Sequence, residues 1–228
     1  IEGANASELV GKTFVLSFWV RSSKTGTHCV AFRNAAPDRS LLAEYVVSAA
    51  NTWERKSVVV SGGLVTDGTW DFGTGIGLRI GFVLACGSAL QAAAGVWQAG
   101  NFIATENQVN CLDAGGNTFA ITGVQLESGD KATAFEHRPY GIELALCQRY
   151  YHRVNAEAVG TNWCIGYAST ATLARFVLPL PNMRVAPTAL EQSGTASDYS
   201  VRSLSNAMTC SAVPVHGIAT STAAALDF

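Results

Sequence analysis

The side chains of this 228-residue chain that best suit chemistry are aromatic rings set among turn residues. Trp70 lies in "DGTWDFGTG" and Trp97 in "AGVWQAGN", where little strand pairing is expected to bury a ring. A flat indole takes the apolar face of a sugar, and nearby amides or carboxylates take its hydroxyls. Trp53, Trp163, Tyr45 and Tyr199 offer further rings. The competing expectation is that Trp70 and Trp97 close the end of a core. The loop "ENQVNCLDAGGN", Glu106 to Asn117, supplies polar partners in Asn107, Gln108, Asn110 and Asp113. Its oxygens suit saccharide hydroxyls, or a structural calcium ion with Asp113 as the carboxylate. It lacks the density of an acidic calcium loop, and a plain polar turn explains it as well. No other cofactor is expected.

Other chemistries lack their groups. Hydrolysis of a polysaccharide needs two carboxylates facing each other across a groove. Glu44, Glu54, Asp67, Asp71 and Glu127 are scattered over strands and turns, and no nucleophile motif with a His and an acid is present. A non-enzymatic protein is the expectation. "GTGIG" has no Lys-Ser/Thr after it and reads as a turn. Six cysteines, at 29, 86, 111, 147, 164 and 210, form no CxxC pair. They read as buried free thiols and not as a disulfide framework or zinc site. With 15 basic against 17 acidic residues and no Lys/Arg run, the footprint for nucleic acid is missing. The most apolar stretch, Ile76 to Trp97, is broken by Arg79, Gln91 and several glycines, well short of the ~18 residues of a membrane span. No signal peptide is evident, and an opening on Ile1 fits a true beginning farther upstream.

The elements that must position these groups are strands. "KTFVLSFWVRSS" alternates, with Phe14, Leu16, Phe18 and Val20 on one face and Ser17, Trp19 and Arg21 on the other. Trp19, pointing away from the core face, is either displayed or, as favoured, buried under a neighbouring chain. "THCVAFRN", "LLAEYVVSA", "WERKSVVVSG", "GLRIGFVLAC" and "NTFAITGVQLESG" follow, separated by Gly-rich turns. Residues 1–137 therefore read as an all-β antiparallel sandwich, with a jelly roll favoured. Pro139 stops the strand run. From Gly141, Ile142, Ala145, Leu146 and Tyr150 fit one helical face, with Glu143 and Arg149 placed to suit the dipole. Alternation of Ile142, Leu144 and Leu146 is the competing pattern. Residues 138–152 form a linker with this short helix. Residues 153–228 read as a smaller β domain, with three prolines in "PLPNMRVAPT" suited to an edge or crossing strand. So few large apolar side chains make that domain marginal alone, and packing against identical copies is the simplest remedy. Charged residues are only 14% of the chain against about 25% in ordinary domains, which also suits burial between copies and survival outside a cell.

Three consecutive stretches, "TGVQLESG", "ATAFEHRPYG" and "ELALCQRYY", carry a resemblance. Their order and wording are similar to a module of bacteriophage tail-fibre and spike proteins. "LSFWVRSSKTGTH", "NTWERKSVVVSGG" and "GLRIGFVLACGS" look like strands of the carbohydrate-binding-module-like sandwich that precedes it in that family. "FVLPLPNMRVAPT" looks like the short C-terminal β domain that follows. The resemblance implies a virion surface protein, assembled in the bacterial cytoplasm as a homotrimer. It would contact other virion proteins and bind host surface polysaccharide through the sandwich, without membrane insertion. No binding residue of the family maps onto a position here. The alternatives are a purely structural fibre or decoration protein and, from the enzyme class, a polysaccharide depolymerase.

Overall fold

Alternation in "FVLSFWVRS" produces strand β1, Phe14–Ser22. The structure, a computed structural model, describes residues 1–154, 164–170, 172–189, 191–203, 206–219 and 223–227. It is mostly β, in antiparallel sheets. The chain divides into two compact units, Ile1–His137 and Arg138–Phe228.

In the first unit a short helix α1, Gly3–Ser7, precedes β1. Then come β2 (Gly26–Arg33), β3 (Arg39–Val47), β4 (Glu54–Val60), β5 (Arg79–Phe82), β6 (Trp97–Ala99) and β7 (Phe119–Ser128). One sheet has the order β4-β1-β7 and the other β5-β2-β3-β6. Both contribute to one buried cluster: Phe14, Leu16, Phe18 and Val20 from β1 meet Val30 and Phe32 from β2 and Tyr45 and Val47 from β3. Phe18 makes edge-on contacts with Tyr45 and Phe82, at 5.0 and 4.9 Å between ring centroids. Such contacts add to simple area burial.

The four-stranded sheet is covered on its other face too. Cys29, Ala31 and Leu42 alternate with the residues above and bury against Val83 and Ala104 of the long β5–β7 connection. Ser40 fastens that connection, donating to the Gly100 carbonyl at 2.7 Å and accepting the Phe102 N–H at 3.1 Å. Burial on both faces is why "THCVAFRN" reads as a nearly unbroken apolar run and not as clean alternation. All six cysteines are free thiols, but only Cys29 and Cys111 are buried.

The second unit begins with helix α2, Tyr140–Gln148, so the helical pattern prevails over alternation. Its strands are β8 (Ile165–Ala168), β9 (Ala174–Pro179), β10 (Ser200–Ser203), β11 (Asn206–Thr209), β12 (Val215–Ala219) and β13 (Ala223–Asp227). They form a sheet of order β12-β13-β9-β8 and the ribbon β10-β11. "PLPNMRVAPT" forms no edge or crossing strand: Pro179 is the last residue of β9, a central strand, and 180–189 continue without strand structure. A proline missing its N–H is tolerated there because the ladder is ending. Among the described residues no helix is long and apolar enough to cross a membrane.

Candidate functional site

Val15 and Ser17 pose the local puzzle. They lie on the outer face of β1, opposite the core, yet both are buried. The segment after β7 supplies the cover. Gly129 N–H donates to the Thr13 carbonyl at 2.8 Å, and the chain folds back as a strap. Gln125 Nε2 donates to the Ala134 carbonyl at 3.2 Å, and Gln125 Oε1 accepts the Glu136 N–H at 2.7 Å. Glu127 accepts the Thr133 N–H at 3.1 Å and its hydroxyl at 2.5 Å. The Thr133 hydroxyl holds the Glu127 carboxyl below its usual range, helped by Gln125. On the other flank, an Arg55 guanidinium nitrogen donates to the Thr133 carbonyl. Gln125 and Glu127 belong to β7 and Arg55 to β4, with β1 between them. The strap therefore crosses over β1.

The alternating Gln125 and Glu127 of "TGVQLESG" are thus hooks for "ATAFE". Arg138, the first residue of the next unit, pairs with Glu143 of α2 at 3.5 Å. Arg55, Lys56 and Ser57 of β4 and Asp130, Lys131 and Ala132 of the strap line a groove of ≈ 530 Å³.

Past the strap the outer face is open. Trp19 and Trp53 are each 41% exposed. Trp19 pairs in register with Arg55 and with Thr122. Arg21 sits over the Trp53 ring, 5.7 Å from its centroid. Gly123 makes room between Trp19 and the strap: its φ is +57°, and a Cβ there would lie 3.3 Å from Trp19 Cδ1 and 3.8 Å from Phe135 Cδ2. A register shift in the β1–β7 ladder falls at this point, consistent with a bulge that re-aims the side chains. Strand register and the Arg21–Trp53 contact thus set Trp19 beside Arg55 and Arg21 beside Trp53 at this end of the sheet. In a single chain Trp19 is displayed there, not covered.

The residues singled out from sequence are placed elsewhere and do not converge. Trp97 lies in β6, not in a turn, and pairs with Leu41. Its indole N–H donates to the Gly63 carbonyl at 2.8 Å. Trp70 meets it edge-on at 5.5 Å and donates to the Asp67 carbonyl at 2.8 Å. Both rings pack on the main core, half-buried. Buried Asn34 holds the loop of Trp70, donating to Asp38 and to the Thr69 carbonyl.

Asn107 and Gln108 attach to the opposite face of the same sheet. Asn107 donates to Glu44 at 3.1 Å. Gln108 Oε1 accepts the Cys29 N–H at 2.7 Å, while its Nε2 donates to the carbonyls of Val83 and Val109. Asn110 accepts the Leu112 N–H at 2.8 Å, a local Asx turn. Asp113 takes Lys24 Nζ at 2.6 Å and Asn117 Nδ2 at 2.6 Å, contacts that hold its carboxyl below the ordinary range. Among the described residues no three His, Cys, Asp or Glu side chains gather as metal ligands. The loop spends its polar groups on its own turns and on Cys29, Glu44, Val83 and Lys24. Trp163 lies outside the described residues.

Sequence reasoning passed over Arg21, Arg55 and Gln125. The signal for the first was present, since alternation put Trp19 and Arg21 together on the solvent side of β1. Compared with known proteins, the chain matches no family model, no curated protein and no solved structure.

Proposed function

We propose that this chain is a non-enzymatic virion fibre or spike subunit that binds a host surface saccharide through its first unit and trimerises through its second. The two sheets sharing one core are read as the jelly-roll-like sandwich of such a head. The observation that carries the reading is the open outer face, where Trp19 and Trp53 present half their surface beside polar groups. Isolated exposed rings are ordinary, but two on one sheet face suit the stacking and hydrogen bonding that sugars require. The original platform, Trp70 with Trp97, is better read as core cover, because both N–H groups are committed to backbone carbonyls. Exposure of apolar side chains throughout α2 supports self-association.

A purely structural fibre protein is the second reading, and the same exposure of α2 favours it, since assembly needs no ligand. Binding to a panel of purified bacterial surface polysaccharides separates the two. The glycan reading expects binding that the double variant Trp19→Ala/Trp53→Ala abolishes while the solution mass stays constant. Reducing-sugar release from a bound polysaccharide would instead favour the depolymerase.

A further inference from the structure

Arg21 and Arg55 share the open stretch of sheet with Trp19 and Trp53, and their chemistry narrows the ligand. Cross-strand and diagonal neighbours on one sheet face lie about 5–8 Å apart, within reach of successive sugar rings and their substituents. Arg21 lies over the Trp53 ring at 5.7 Å, a cation–π position. A guanidinium carries its N–H groups in a fork that matches a carboxylate. Arg55 is fixed at its position by the carbonyl of Thr133. Glu127, bonded to Thr133, remains an anion and acts on Arg55. Among the described residues no carboxylate pairs with Arg21, so its charge is left to a ligand on a chain of formal net charge −2.

We infer that this face takes an anionic saccharide, with ring faces on Trp19 and Trp53 and a carboxylate on Arg21 and Arg55. The inference rests on the glycan reading above and names its chemical class. A single-stranded nucleic acid is the other polyanion with stackable rings. It fits less well, because the groove that continues from Arg55 sets Asp130 among its cations, Lys56 and Lys131.

The test uses the full 228-residue chain and purified bacterial polysaccharides bearing uronate or sialate, each beside its carboxyl-reduced form. Dextran and oligo-dT serve as controls. Binding to an acidic polymer is expected, weakened about tenfold or more by carboxyl reduction and by Arg21→Gln. Arg21→Lys should restore only part of the loss, because it keeps the charge without the fork. If acidic and reduced forms bind alike, and Arg21→Gln changes nothing while Trp53→Ala abolishes both, the anionic class is wrong and the glycan reading survives. If no saccharide binds in either form, both fail. Tighter binding to oligo-dT, or a drop in solution mass on Trp19→Ala, would overturn the inference by giving the face to nucleic acid or to a second copy.

Discussion

Residues 1–137 and 138–228 are built from the same short antiparallel strands but end at opposite extremes of burial. In the first unit, two sheets and a covering connection enclose Phe14, Phe18, Phe32 and their neighbours completely. In the second, among residues whose side chains are described, only Leu178 and Pro214 are buried. Ile165 is 89% exposed and Tyr140 79%. Helix α2 buries none of its nine residues, and Tyr140, Ile142, Leu144, Ala145 and Leu146 cover most of its circumference, with Glu143 in the remaining gap. A lone helix shorter than about 12–15 residues is marginal in water, and one apolar over most of its circumference expects protein over most of it. Strand formation alone does not make a domain. The first unit closes its core within the chain, and the second, on the proposed reading, closes it between chains.

The largest expected effect breaks the first side of this comparison. Phe18→Ala removes a fully buried ring with two edge-on partners and should cost about 3–5 kcal/mol. Urea unfolding of residues 1–137 reads it directly, and a loss under 1 kcal/mol would mean the core is not closed there. The matching truncation on the other side, Leu146→Ala, should act differently. On the proposed reading its effect should depend on protein concentration, because the contact it would remove lies between copies.

Removing the strap's hook is milder. Gln125→Ala deletes bonds to Ala134 and Glu136 and should cost about 1–2 kcal/mol. Hydrogen exchange should then speed up at Glu136 while β2 and β3 stay protected. Equal exchange in both proteins would show that the strap does not depend on Gln125.

Acid sharpens the comparison further. His28 is wholly buried, stacked on Tyr45, with Nε2 3.1 Å from the Lys24 carbonyl and Nδ1 near the Cys111 thiol. Burial pushes its pKa below the usual 6.5, partly offset by the Lys24 carbonyl. The unfolded chain thus binds more protons than the native one between that lowered value and 6.5. Stability is full above about pH 6.5 and declines as pH falls through the lowered value. Denaturation midpoints of residues 1–137 at pH 7.5 and 5 should show the decline, and His28→Gln should flatten it. Asp113, paired with Lys24 close by, has its carboxyl held below the ordinary range and so keeps its charge through that window.

The smallest effect has the opposite sign. The Tyr45 hydroxyl is buried without a hydrogen-bond partner among the described residues, and burial raises its pKa. Tyr45→Phe should be neutral or stabilising by about 1 kcal/mol, since it removes an unsatisfied group at nearly constant shape. A clear loss would reveal a partner for that oxygen.

The strands were legible because their signal is local. Phe14, Leu16, Phe18 and Val20 announce a half-buried strand in nine residues, and α2 shows in the spacing of Ile142, Ala145 and Leu146. Short β6 was not legible: three residues carry no period, and Trp97 is extended only because Leu41 of β3 pairs with it. The site was less legible still. Turn-rich surroundings suggested exposed rings at Trp70 and Trp97, but exposure depends on what the tertiary structure brings alongside, and here that is the core. Asn107, Gln108 and Asp113 looked like ligand groups because sequence cannot show that the chain's own amides, Lys24 and Glu44 already occupy them. Conversely, the open face joins Trp19 and Arg21 to Trp53 and Arg55, more than thirty residues away, and only strand register unites them.

The central claim is that the second unit completes its core through copies of the chain while the first stands alone. Light scattering of the purified chain beside the 1–137 fragment tests it most directly. The account expects a folded monomeric fragment and a full chain of three times 23.9 kDa. A full chain that stays at 23.9 kDa and still unfolds its second unit cooperatively would contradict it.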